Sequence, residues 1–267
     1  MTNFICVTCG TQYPDSAIPP ANCPICADER QYVNPNGQAW TTLEELRKHA
    51  KNVIVESELG LHYIKSEPKI GIGQQAFLVQ SGSGNVLWDC ITLLDEATID
   101  AVKALGGIST IAISHPHYHG TLVEWSKAFN APVYIHSGNK EWVMRDEGAV
   151  TFWNGATQPL GEGITIVHCG GHFEGATVLH WDKGAGGRGV VLCADTIDVV
   201  PDSRYMSFMY SYPNLIPLPA SKVQAIVGRL GPYEFDRMYD AFGGISRHDA
   251  KERLNRSAER YVKAISE

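Results

Sequence analysis

Two spacings of apolar residues alternate along the chain. Short, nearly unbroken apolar runs at 76–79, 86–90, 109–113, 132–135, 164–167, 177–181 and 189–193 read as buried strands. Stretches at 95–105, 122–129, 140–146, 220–230 and 249–265 have helical spacing, and Gly106 and Gly107 supply a stop for the first of them. A shorter helix is expected over 42–49, capped by Thr41 or Thr42, ahead of meander strands at 53–55 and 61–64. Strands interleaved with helices predict an α/β or α+β architecture. Residues 201–219, rich in Pro, Tyr and Met, follow neither spacing.

The first 35 residues stand outside this pattern. Cys6 with Cys9 and Cys23 with Cys26 form two knuckles, each with a two-residue gap. Each knuckle turns two thiolates to one side, and together they complete a tetrahedral four-sulfur metal site. So short a unit buries too little apolar area to fold alone, and metal binding would supply the missing free energy. The module resembles zinc ribbons and rubredoxins, so zinc and iron are both candidates. Domains are expected at 1–35, the cysteine module, and at 36–267, joined through the turn residues Asn34, Pro35, Asn36 and Gly37.

The densest chemistry in the chain follows the strand at 109–113. His115, His117 and His119 stand at alternate positions, and Pro116 opposes helix, so an extended backbone pointing three imidazoles one way is expected. Open α/β sheets place ligands at the carboxyl ends of strands, and neutral imidazole is the commonest protein metal ligand. His172 and Asp195 follow later strands in the same manner, and His248 precedes the last helix, where it also reads as part of that helix's cap.

The order and spacing of these residues resemble the metallo-β-lactamase superfamily of metal-dependent hydrolases. His115 and His117 match the first two histidines of that family's loop motif, Gly171-His172 its second motif, Asp195 its bridging carboxylate and His248 its late histidine. The resemblance covers about residues 50–267 and implies a four-layer αββα sandwich preceded by the cysteine module. It also implies a catalytic zinc centre of one or two ions, with iron as the alternative. Two positions depart from the motif: the family's loop Asp falls on His119, and its third histidine on Gly120. A first metal held by His115, His117 and His172, with Asp195 able to bridge, is therefore expected. A second would be left with His119, Asp195 and His248.

Three neutral nitrogens leave a metal's charge unquenched, so a bound water ionises at a pKa of about 7. The expected activity is hydrolysis of a small ester, thioester or lactone by metal-bound hydroxide. Asp195 would orient the water, His119 would act as base if it is not a ligand, and Tyr118 would donate to the developing oxyanion. Two other readings use the same residues. One is an iron redox enzyme in which the cysteine module carries electrons; the other is a binding or regulatory protein with a degenerate metal site.

Composition narrows the partners. A formal net charge of -7 argues against nucleic acid, which requires a basic face. No apolar run is long enough to span a bilayer, so no membrane partner is expected. Residues 1–6 lack a charged segment leading into an apolar one, which makes a cytoplasmic location the expectation. The expected partner is a small-molecule substrate. Residues 204–213 would either line its pocket, with Arg204 reading a carboxylate or phosphate, or form the surface of a homo-oligomer. His136, His168 and His180 fall in or beside apolar strands, and Cys169 and Cys193 read as core thiols.

Overall fold

The computed structural model describes residues 1–32 and 34–266. The chain forms two compact units, one made of residues 1–135 and 139–152, the other of residues 136–138 and those from Trp153 onward.

The first unit opens with a three-stranded antiparallel sheet of Thr2–Cys6, Gln12–Ser16 and Trp40–Thr41, with Thr2–Cys6 in the middle. Ile5 pairs with Thr41 and Cys6 with Trp40, so the module's sheet draws in residues beyond position 35. Pro24–Ala27 forms a single helical turn with Pro24 at its first position, where a missing N–H costs nothing. The helix expected over 42–49 is Leu43–Arg47, and Thr42 is its cap: the hydroxyl accepts from the Glu45 N–H at 3.2 Å.

A seven-stranded sheet follows, ordered Val150–Trp153, Val133–His136, Thr110–Ile113, Val86–Trp88, Ala76–Val79, Leu61–Glu67 and Lys51–Glu58. Val86–Trp88, Thr110–Ile113 and Val133–His136 run parallel. Their crossovers carry the helices Glu96–Ala104 and Leu122–Phe129. Parallel strands covered by crossover helices are buried on both faces, which is why these runs are apolar without alternation. The first crossover helix is capped by Asp95, whose carboxylate accepts from the Thr98 N–H at 2.8 Å. It closes on Gly106 and Gly107, both at positive φ.

The second unit is built on a six-stranded sheet ordered Thr157–Gly161, Ile164–His168, Thr177–Trp181, Val190–Leu192, Arg237–Tyr239 and Ile245–Ser246. The helices Ala220–Leu230 and Ala250–Ser266 cover it. Val223, Ile226 and Leu230 from one helix and Leu254 and Ala258 from the other share a core with Val178, Val191, Met238, Met206 and Phe208. Thus the unpatterned 201–219 stretch sends Met206 and Phe208 inward, and Met209–Ser211 pairs with Ile216–Pro217 as a small ribbon.

Two local expectations are corrected, and two strands are added. Residues 116–118 form a 3-10 turn rather than extended chain, because Pro116 occupies the first helical position, which its fixed φ favours. A 3-10 helix at Ser137–Trp142 replaces the helix expected over 140–146. Val150–Trp153 and Thr157–Gly161, edge strands with mixed polarity, had no signal in the apolar pattern.

Candidate metal centres

Both cysteine knuckles belong to the first unit, and the structure brings their four sulfurs together. Cys6 Sγ lies 3.5 Å from Cys26 Sγ, and Cys9 Sγ lies 3.6 Å from Cys23 Sγ. Four thiolates at about 2.3 Å around a tetrahedral ion would be about 3.8 Å apart, so the cluster fits such an ion with little adjustment. The sulfurs are also hydrogen-bonded as thiolates are. The Tyr13 hydroxyl donates to Cys23 at 3.1 Å and the Gln38 side-chain amide to Cys6 at 3.3 Å. Crowding splits their titration, with Cys6 and Cys23 pulled down by hydrogen bonds from neighbouring thiols and Cys9 and Cys26 pushed up. A cation removes that conflict by making all four thiolates favourable. Trp40, Trp142 and Met144 pack around the cluster.

The histidine loop leaves the carboxyl end of Thr110–Ile113. Its anchor is Asp89, which follows Val86–Trp88 and sits at φ 63°. The Asp89 carboxylate accepts from the Ser114 N–H at 2.7 Å and from the Ser114 hydroxyl at 3.0 Å. With its proton so committed, the Ser114 oxygen accepts from His115 Nδ1 at 3.0 Å. This pattern assigns His115 the Nδ1-H tautomer and leaves the lone pair on Nε2, the form that ligates metals. His117 is buried, its ring centroid 5.0 Å from that of His115. Tyr118 is fully buried, and its ring meets the His115 ring edge-on at 4.5 Å.

His119 is placed differently. The 3-10 turn carries it round to line a small cavity with Thr11, Gln12, Gly120, Met144 and Arg145. Burial holds its pKa down, at about 3, with His115 and His117 adding to the effect and the Trp142 backbone opposing it. Gly120 follows at φ 49°, and a Cβ there would stand 2.8 Å from the Ile91 carbonyl oxygen and 3.1 Å from that of Cys90. A histidine cannot occupy position 120 in this backbone without displacing the core.

In the second unit, Gly170 and Gly171, both at positive φ, turn the chain so that His172 is fully buried. Its Nδ1 donates to the Tyr210 carbonyl at 2.8 Å, with the Met209 carbonyl at 3.3 Å, which again puts the lone pair on Nε2. His172 Nε2 lies 4.0 Å from Asp195 Oδ2. Asp195 follows Val190–Leu192, and its own carbonyl accepts from the hydroxyl of half-buried Tyr212 at 2.8 Å. Burial, with Asp240 and Asp195 adding to it, raises Asp198 to about 6.

His248 is exposed, bonded to Asp249 at 2.8 Å and to Arg253. Neither His119 nor His248 belongs to a metal-competent cluster among the described residues. Arg204 is likewise exposed and paired with Asp202 at 2.8 Å. The residues that the sequence reading passed over are Asp89 and Ser114, which orient His115, and Tyr210 and Tyr212, which hold His172 and Asp195. Asp89 did carry a signal, as an acidic residue closing an apolar strand.

No family model matches the chain. A curated relative, the uncharacterised protein YmaE of Bacillus subtilis (strain 168), is 50% identical over 268 residues, covering 100% of this chain and 98% of that protein. The chain belongs to the YmaE family. Among solved structures, this YmaE relative is similar to the DIM-1 metallo-β-lactamase, with a TM-score of 0.59 and 14% identity over 80% of this chain and 98% of that one. It is also similar to a metallo-β-lactamase of Cronobacter sakazakii, with a TM-score of 0.52 and 18% identity over 83% of this chain and 96% of that one. A B3 metallo-β-lactamase with an active-site glutamic acid gives 0.51 and 16% over 85% and 97%. This chain therefore has the metallo-β-lactamase fold, with a four-cysteine cluster near its N-terminus. Among the described residues, no helix is long and apolar enough to cross a membrane.

Proposed function

We propose that this chain is a metal-dependent hydrolase in which His115, His117, His172 and Asp195 hold one catalytic ion, most simply zinc, and that its substrate is a small ester, thioester or lactone. The observation that supports this most is the orientation of the two outer histidines. His115 and His172 each spend Nδ1 on a partner in their own unit, a serine held by Asp89 and the Tyr210 carbonyl, and each keeps Nε2 as the lone-pair nitrogen. Such outer contacts are what protein metal sites use to fix a ligand's tautomer and direction. All four donors are buried side chains of ligand type, and their order along the chain matches the fold's motif.

A divalent ion held by neutral imidazoles supplies an ionised water at neutral pH and polarises a carbonyl oxygen. The protein's part is positional. Ser114 and Asp89 fix the tautomer and direction of His115, the Tyr210 carbonyl does the same for His172, and Tyr212 fixes the backbone that presents Asp195. The Asp195 carboxylate would hold the ion through one oxygen, and its other oxygen would be free to accept a hydrogen bond from a nucleophilic water and orient it. His119 lines the cysteine-module side of the loop and takes no part in proton transfer.

Turnover of a panel of chromogenic esters, thioesters and lactones by the purified full chain tests the reading. His115→Ala and Asp195→Asn should each lose at least about a hundredfold in kcat/KM on any accepted substrate, and a chelator should abolish turnover reversibly. Wild-type turnover that survives His115→Ala would sink the proposal. The packing of Trp142 and Met144 against the cysteine cluster favours one second reading, iron at that cluster passing electrons toward the histidine loop. A visible absorption spectrum separates the two, because zinc is colourless.

A further inference from the structure

Thr11 and Gln12 lie between the two metal-ligand loops of the first unit. The Thr11 carbonyl accepts from the Cys6 N–H at 3.0 Å, closing the first cysteine knuckle, and the Gly10 N–H bonds back to the Cys6 carbonyl at 2.8 Å. One residue on, the Gln12 N–H donates to the Gly120 carbonyl at 3.0 Å, on the far end of the histidine loop. The Gln12 side-chain oxygen accepts from Arg145, which is buried and also grips Glu124 at 2.6 Å, on the helix that leaves the loop. From the other side, Thr92 donates to the Gly10 carbonyl at 3.1 Å and accepts, through its own carbonyl, from Thr121 at 2.9 Å.

Between these bonds lies a small space of about 10 Å³ lined by Thr11, Gln12, His119 and Arg145, among others. It is the size that holds a single water. The Thr11 hydroxyl is buried with no hydrogen-bond partner, and the buried His119 ring has only the Trp142 backbone to bond. Buried polar atoms of this kind are costly unless a water bridges them, and a cavity with several polar walls is where such a water is stable.

We infer that Thr11 and Gln12 are positioning residues for the histidine loop: through the Gly120 and Arg145 bonds of Gln12, and one internal water shared by Thr11 and His119, a loaded cysteine module sets the loop's metal-binding geometry. The ion at the four cysteines shapes the knuckle that Thr11 closes, and the knuckle in turn fixes His119 and Gly120, directly after the ligands His115 and His117. Loading of the cysteine site thereby conditions affinity at the histidine site. The inference rests on the proposed metal role of the histidines, and its test is therefore binding rather than turnover.

The test uses the full-length chain substituted with cobalt, because thiolate ligation alone gives an intense near-ultraviolet charge-transfer band and so reports the cysteine site separately. Metal per chain and competition with a chromophoric chelator then give the affinity of the histidine site. Thr11→Val and Gln12→Ala should each weaken that site by about tenfold or more while the thiolate band stays intact. Gln12→Glu, which keeps an acceptor for Arg145, should restore wild-type affinity. Wild-type affinity in both Thr11→Val and Gln12→Ala would overturn the inference and leave the hydrolase reading standing. If Gln12→Ala lost the thiolate band as well, the near-isosteric Thr11→Val would decide the matter. A wild-type chain binding one ion only, at the cysteines, would overturn the inference together with the reading beneath it.

Discussion

Asp89 and Ser114 show how much of the proposed metal site would lie behind its ligands. Ser114→Ala leaves His115 in place yet removes the acceptor that holds Nδ1-H, so the ring is free to rotate or to change tautomer. Metal affinity at the histidine site is expected to fall by about 10- to 100-fold, with the fold intact by circular dichroism; competition with a chelator measures it. Gly120 sets a different limit. Gly120→His, which would rebuild the family's motif, places a Cβ 2.8 Å from the Ile91 carbonyl oxygen at a φ of 49°. We expect this variant to lose about 1–3 kcal/mol of stability in denaturant unfolding and to bind no additional metal. His115, His117, His172 and Asp195 stand out in the sequence by the order and spacing that carry the resemblance. The direction of His119 does not, since an extended loop and a 3-10 turn place alternate residues on different sides, and Pro116 is compatible with both. Asp89 escaped notice because nothing local links position 89 to position 115.

Among elements, the helix Leu122–Phe129 and the segment after the 3-10 helix Ser137–Trp142 are joined by charge. Arg145 bonds Glu124 and Glu147 at 2.6 Å each, and Lys127 reaches Glu147 at 2.6 Å. Arg145, then Lys127, holds the Glu147 carboxyl down at about 2. A carboxyl depressed in the folded state contributes its stability above its unfolded pKa of about 4.3 and loses it as the pH falls toward 2. Glu147→Gln should therefore flatten the acid limb of the stability curve between those values, its cost being greatest above about pH 4.3, at pH 7 included, and vanishing as the pH nears 2, as chemical unfolding from pH 2 to pH 7 would show. The effect is expected to be small, because Glu147 is largely open to solvent and screened. Elements with a single clear period were readable in advance, as with Glu96–Ala104 and Ala220–Leu230. Val150–Trp153 and Thr157–Gly161 were not, because an edge strand is stabilised by its neighbour's hydrogen bonds and needs no apolar pattern of its own.

For the molecule as a whole, the cysteine module contributes stability as well as a candidate metal site. It shares Ile5 with Leu46 and Leu93 in one small core and places Gly10 and Gly71 in close contact across its boundary. Structural tetrathiolate ions contribute roughly 10 kcal/mol to folding, and even about half of that would move the Tm of a chain this size by roughly 10–20 °C. Calorimetry with and without a strong chelator should show such a drop, in wild type and in His115→Ala alike, since the histidine site is not its source. The expected division at position 35 rests on composition, which carries no information on how closely the two sides of a boundary pack.

That boundary also bears on ancestry. A Cβ at Gly10 would meet the Thr92 hydroxyl at 2.0 Å, and one at Gly71 would meet the Cys9 backbone at 3.3 Å. An appended segment that is merely tethered can be shed or exchanged between lineages without disturbing its host. Here a change on one side must be answered on the other, so positions 10, 71 and 92 should vary together or not at all among homologous chains. A polypeptide begun at residue 36 should emerge from expression as an aggregating fragment rather than as a smaller hydrolase.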